Sequence, residues 1–152
     1  LYGTDFPRGP RARFVPFDQG PAAEELPSKR FPLILNTGRI LYHWHGGTIT
    51  RRAPTLLARA PEVTLSMNEQ DGARYGIGEG DWVELKSRRG TLEARVLFDH
   101  KMQEGQVFVP FVKLRESAAN FLTNSALDPD SKIPEYKVCA VRVEKVEEPS
   151  LT

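Results

Sequence analysis

Two histidines one residue apart, His43 and His45, lie in a stretch that reads NTGRILYHWHGGTITRR from Asn36 to Arg52. The same stretch holds a tyrosine, a tryptophan, three glycines, three threonines and three arginines. Glycine lets a backbone approach a ligand closely. Threonine hydroxyls and free backbone N–H groups bind anions. Arginine meets phosphate with a planar fork of donors. Histidine and the aromatics can stack on a flat heterocycle and hydrogen-bond its edge. The mixture fits a loop that binds a large, anionic, ring-bearing cofactor. A turn followed by an arginine-rich surface helix would use the same residue types, and those types alone leave both readings open.

Other chemistry is sparse. The single cysteine, Cys139, sits among valines in YKVCAVRV, which marks a buried core thiol with no basic partner suggested nearby. His43 and His45 could share one side of an extended chain, but no third or fourth ligand follows at zinc spacing, so no metal site is assigned. No catalytic residue is assigned either. The net charge of +1, from 21 basic and 20 acidic residues, gives no argument for nucleic-acid or membrane binding. No apolar run is long enough to cross a bilayer. The opening LYGTDFPRGPRARF lacks the apolar core of a signal peptide, and the first residue is not Met, so a fragment or a processed product is expected. With 152 residues, 39% of them hydrophobic, the chain can bury one core of ordinary domain size.

Residues 1–30 carry five prolines and three glycines and read as an extended arm, with a short edge strand possible over 12–17. The elements that would position the loop follow. FPLIL at 31–35 is a strand entering a turn at Thr37-Gly38. PTLLARA at 54–60 has helical composition, with proline tolerated in its first turn. EVTLS at 62–66 alternates as a strand. Asn68 can cap a short helix carrying Glu69 and Asp71, which Gly76 ends. Residues 81–87 and 91–98 form a hairpin about Arg88-Arg89-Gly90, read as a solvated turn. QVFVPF at 106–111 is a strand, 117–127 a helix or structured loop, 129–134 a turn-rich linker, and 136–146 a long alternating strand. Six or seven strands with a few short helices fit a closed β-barrel, because closure removes exposed edges.

Four blocks carry a family resemblance. They are FPLILNTGRILYHWHGGTITRR at 31–52, SMNEQDGARYGIGEGDWVELKSRRGTLEARV at 66–96, VFVPF with SAANFLTNSALDPDSKIPEYKVCAVRVEK to 145, and RARFVPF at 11–17. Together they resemble the C-terminal molybdopterin dinucleotide-binding domain of the dimethyl sulfoxide reductase superfamily. Within it they are most similar to the catalytic (alpha) subunit of formate dehydrogenases. Gly72, Glu79 and Val96 depart from the usual pattern, away from the proposed site.

The resemblance implies a mainly β fold with short α, a six-stranded double-psi β-barrel of the aspartate decarboxylase-like kind. It would span 31–147, between the arm at 1–30 and a tail at 148–152. It implies a molybdenum or tungsten bis(molybdopterin guanine dinucleotide) cofactor, shared with domains outside this chain that carry the metal ligand and an iron–sulfur cluster. Alone, the chain is expected to be inactive in formate oxidation. Cofactor contacts are expected at Thr37, Gly38 and Arg39 in the first turn, then at His43, preferred over His45, and at Thr48. Asn120, Tyr136 and Lys137 would close the site. A nitrate reductase or another oxyanion-reducing relative is the alternative, as is a stand-alone barrel acting as an interaction module. The cytoplasm is the expected compartment, with a periplasmic parent enzyme as the alternative.

Overall fold

The structure is a computed structural model that describes residues 14–16, 18, 25–114 and 118–148. Alternating sequence patterns become strands with one face buried. In β1 (Leu33–Gly38), Leu33, Leu35 and Thr37 point inward. In β3 (Trp82–Lys86) Val83 and Leu85 do so, and in β4 (Thr91–Phe98) Leu92, Ala94 and Val96. β2 (Thr64–Met67), β5 (Gln106–Pro110) and β6 (Cys139–Val146) complete the set. Their inward side chains form one continuous core. Each buried leucine or valine contributes about 1.5–3 kcal/mol of hydrophobic stabilisation.

The strands close into a six-stranded barrel in the order β1-β5-β2-β4-β3-β6. β1 runs parallel to β5, with Gly38 opposite Pro110, and β2 runs parallel to β4. The other four pairs are antiparallel. These directions gather the C-terminal ends of β1, β3 and β5 and the N-terminal ends of β2, β4 and β6 at one end of the barrel. The connections 39–63, 87–90 and 111–138 therefore all leave from that end, and 68–81 and 99–105 from the other.

The first of these connections carries a 3-10 turn (Thr50–Arg52) and helix α1 (Pro54–Arg59), with proline in its opening turn. At the opposite end lies α2 (Glu69–Tyr75). The Asn68 side chain caps it by accepting the Gln70 N–H at 2.8 Å, and Gly76 closes it at φ 67°.

Several boundaries differ from the sequence reading. β1 begins two residues later and runs on through Thr37 and Gly38, which are ladder residues opposite Val109 and Pro110 rather than a turn. β6 begins at Cys139, so Tyr136 and Lys137 precede it. Within 118–127 only a 3-10 turn, Ala119–Phe121, forms. The edge strand expected over 12–17 lies largely outside the described residues, and 14–16 are not in a strand.

Candidate functional site

Thr37 and Gly38 end β1 where the chain turns out of the barrel. The Thr37 hydroxyl is buried and donates to the Tyr136 carbonyl at 2.6 Å, which ties the segment before β6 to the end of β1. The Phe111 N–H donates to the Gly38 carbonyl at 2.8 Å, and the Phe111 and Tyr136 rings meet edge to face at 5.7 Å. A side chain at Gly38 would collide with Phe108, its β-carbon lying 2.7 Å from the ring. Glycine there serves close packing of an aromatic ring. Arg39 follows, exposed at the rim.

The loop from Ile40 to Thr50 is held from inside. His43 is buried. Its Nδ1 lies 3.0 Å from the Thr50 hydroxyl and its Nε2 lies 2.9 Å from the Ala60 carbonyl. The Thr50 hydroxyl also accepts the Trp44 N–H at 3.1 Å. Both ring nitrogens are thus engaged within the chain, and His43 clamps the loop. The expected ligand contact at His43 would therefore have to displace one of these two partners. His45 is the exposed member, in the left-handed region at φ 49°, with its ring edge-on to Trp44 at 4.7 Å. Gly47 is left-handed too, at φ 77°, and its α-carbon sits against buried Val112. The Lys113 N–H donates to the Gly46 carbonyl at 3.0 Å. Segment 111–113 therefore joins the two halves: Phe111 touches Gly38 and Tyr136, while Val112 and Lys113 seat the loop.

Thr48 is exposed and caps no helix; the following 3-10 turn has Ile49 at its cap position and no side-chain cap. Asn120 is exposed on the 3-10 turn 119–121, next to the β3–β4 hairpin: a β-carbon at Gly90 would lie 2.8 Å from the Phe121 carbonyl. Lys137 is exposed beside Tyr136. All nine predicted residues thus lie at one end of the barrel. Thr37, Gly38 and Tyr136 are in direct contact or linked through Phe111, His45 sits on the loop beside them, and Asn120 stands apart by the hairpin.

Sequence reasoning missed Thr50, Phe111 and Asn124. Buried Asn124 donates to Glu135 and to the Val138 carbonyl, both at 2.9 Å, and accepts the Ala126 N–H at 2.9 Å, so it organises the segment that presents Tyr136. An asparagine four residues after Asn120 was the available signal. Sequence reading also left Arg88 and Arg89 in solvent. Arg89 instead folds back on Glu25, donating to both carboxylate oxygens and to the Leu122 carbonyl at 2.7 Å. That hydrogen-bonded guanidinium holds Glu25 below the usual carboxylate range against the opposing effect of burial. Cys139 lies 3.0 Å from Arg89, a basic partner 50 positions away in the sequence; burial nevertheless pushes the thiol up to about 11, and it stays protonated.

Eight exposed large hydrophobic residues (Leu41, Tyr42, Trp44, Ile49, Phe121, Leu127, Ile133 and Tyr136) stand on the connections at this same end. Exposed donors stand among them at Arg39, His45, Thr48, Asn120 and Lys137. An anionic ligand with a polar ring fits this donor set. Among the described residues no cluster of three or more His, Cys, Asp or Glu is placed to hold a metal ion.

Comparison with known proteins gives a consistent picture. Residues 33–140 match the family described as "Molydopterin dinucleotide binding domain". The chain is 42% identical over 136 residues to the F420-dependent formate dehydrogenase subunit alpha of Methanocaldococcus jannaschii, covering 90% of the chain and 20% of the relative. It is 50% identical over 124 residues to the nitrate reductase of Symbiobacterium thermophilum, covering 80% of the chain and 16% of the relative. The chain thus spans about a fifth of the length of such relatives. Acetylene hydratase from Pelobacter acetylenicus shares the fold, with a TM-score of 0.66 at 17% identity over 78% of the chain and 19% of that protein.

Proposed function

Because this chain belongs to the molydopterin dinucleotide binding domain family, we propose that its loop-bearing barrel end covers a bis(molybdopterin guanine dinucleotide) cofactor in a larger oxidoreductase. The parent enzyme, on this reading, oxidises formate, and the 42% identity to a formate dehydrogenase alpha subunit supports that choice. The 50% identity to a nitrate reductase supports the second reading, an oxyanion-reducing parent. The arm is assigned to 1–30, the cofactor-binding barrel to 31–147 and the tail to 148–152.

The observation that carries the proposal is the convergence of all nine predicted residues at one barrel end, where exposed donors and apolar rings stand together. Apolar surface of that extent needs a cover. The cofactor, when bound, supplies the redox chemistry; this chain's residues bind and orient it. Arg39 and Lys137 meet its negative charge, and Arg39 can do so with a fork of donors. His45, Thr48 and Asn120 offer hydrogen bonds, the Asn120 amide both donating and accepting. Tyr136, packed on Phe111, supplies an apolar wall. Thr37, Gly38 and His43 hold these groups in place from behind.

The test uses the full-length parent with Arg39→Gln and Lys137→Gln, singly and together. Losing a charge-assisted hydrogen bond costs about 1.5–3 kcal/mol, roughly tenfold or more in affinity. Molybdopterin retained per mole of folded protein after gel filtration is expected to fall for each single variant and further for the double. Full retention in all three would overturn the assignment of these two residues.

A further inference from the structure

A cleft of about 570 Å³ opens beside the β3–β4 hairpin turn, lined by Arg30, Phe31, Lys86, Arg88, Arg89 and Arg142 together with that turn. It shares no residue with the nine at the barrel end. Lys86 and Arg142 are directly opposite each other in the β3–β6 ladder. Like charges directly opposite on one face of a sheet destabilise it. The next outward pair, Glu84 and Glu144, repeats the conflict with the opposite sign. Among the described residues, relief comes along each strand, at 3.6 Å from Lys86 to Glu84 and 3.4 Å from Arg142 to Glu144. The second contact misses hydrogen-bond geometry, and the Arg142 Nε is buried without a hydrogen-bond partner among the described residues.

The remaining cations divide in the same way. Arg89 is fully engaged by Glu25 and the Leu122 carbonyl and forms the floor. Arg88 approaches the already occupied Glu25 only at 3.6 Å. Arg88 and Arg30 also lie over the Phe31 ring, with their guanidinium carbons 4.9 and 5.4 Å from its centroid. Counting Glu25, Glu84 and Glu144, five cations face three carboxylates, an excess of two positive charges at one cleft. Among the described residues, four of the five hold their nearest carboxylate loosely or have none paired with them in a salt bridge. Cleft volumes of this size hold small molecules.

We propose that this cleft is a second anion site, which takes a phosphate group of a small molecule between Lys86, Arg88 and Arg142. The phosphate neutralises the Lys86–Arg142 repulsion and gives the guanidinium forks acceptors. Arg30 and Phe31 form the wall on the side of the arm. The site shares no residue with the nine at the barrel end, although its hairpin turn leaves from that same end and lies beside the 119–121 turn.

The experiment is an amide-resolved NMR titration of the 152-residue chain with inorganic pyrophosphate at low and at 0.5 M salt, with hexaglutamate as a carboxylate control. Saturable shifts at Lys86–Thr91 and Arg142, with Kd on the order of 1 mM or tighter, are expected at low salt, weakening as salt screens the charges. Arg142→Gln and Lys86→Gln each replace an outward-facing side chain, and well-dispersed spectra check that the barrel persists. Each is expected to weaken pyrophosphate binding roughly tenfold. Absence of saturable shifts at these amides overturns the proposal. Equal weakening by Lys101→Gln, on the connection at the opposite end, would mean diffuse charge attraction and also overturns it. Tighter binding of hexaglutamate than of pyrophosphate would reassign the cleft to an acidic protein segment and sink the phosphate claim.

Discussion

Replacing Gly47 with alanine tests how the 39–53 loop is seated. Gly47 lies at φ 77°, where an alanine costs roughly 1–2 kcal/mol. Its new β-carbon would also lie 2.6 Å from Val112 Cγ2, and Val112 is buried in the core. Overpacking of this kind costs typically about 1–3 kcal/mol. Gly47→Ala is therefore expected to destabilise the chain by about 2–5 kcal/mol. Val112→Ala alone should cost about 1–3 kcal/mol for two lost methyl groups and the space they leave. In the double variant the overlap is gone and only the backbone cost of alanine at a positive φ remains, so the coupling should be about 1–3 kcal/mol. Urea unfolding of the four proteins measures this cycle. Amide exchange should report the same change locally, through faster exchange at Arg51, bonded to the Gly47 carbonyl, and at Lys113, bonded to the Gly46 carbonyl. Additivity within about 0.5 kcal/mol would refute the seating of the 39–53 loop on Val112.

Further outcomes follow from other contacts. His43→Phe should leave the Thr50 hydroxyl and the Ala60 carbonyl without their partner, costing about 1–3 kcal/mol for each group left unpaired; thermal denaturation measures it, and no loss would mean the clamp is not formed. Glu25 has a native pKa below its ordinary 4.5, so between the two values the unfolded chain binds more protons. Its contribution is complete above pH 4.5 and is lost as pH falls through the native value; Glu25→Gln should flatten this acid limb of melting temperature against pH. Cys139 runs the other way: raised from 9.0 to about 11, it keeps its proton in the native state, so stability should fall as pH rises from 9 to 11, and Cys139→Ser should reduce that fall. At Gly72 an added β-carbon would meet the Phe98 ring at 2.6 Å and the Ile77 carbonyl at 2.9 Å. Gly72→Ala should therefore destabilise in urea titrations, because overpacking of about 1–3 kcal/mol exceeds the roughly 1 kcal/mol gained in helix propensity.

The barrel was legible in the sequence because its strands alternate. Leu92, Ala94 and Val96 face inward from β4 as the pattern requires, and the Asn68 cap and the Gly76 stop stand where residue type places them. Strand ends were less legible where polar residues join a ladder. Thr37 and Gly38 read as a turn by composition, yet β5 extends beside them and supplies hydrogen bonds. The 118–138 connection has no repeating pattern to read, since Asn124 organises it through side-chain bonds to Glu135 and to backbone groups. At the candidate site, residue types singled out the loop but could not divide its roles. A histidine that binds a ligand and one that clamps a loop look identical until the reach to Thr50 and Ala60 is known. The Glu25–Arg89 pair joins residues 64 positions apart, a separation no local pattern encodes.

The central claim is that the barrel end formed by the 39–63 and 111–138 connections binds the dinucleotide cofactor. An amide-resolved NMR titration of the chain with guanosine diphosphate, standing in for the guanine dinucleotide half, tests it most directly. Saturable shifts at Thr37–Thr48, Asn120 and Tyr136–Lys137 are the expected result, with His43 moving less than His45 because its ring is already engaged. Shifts confined to the 69–75 helix and the 99–105 connection, at the opposite end of the barrel, would contradict it.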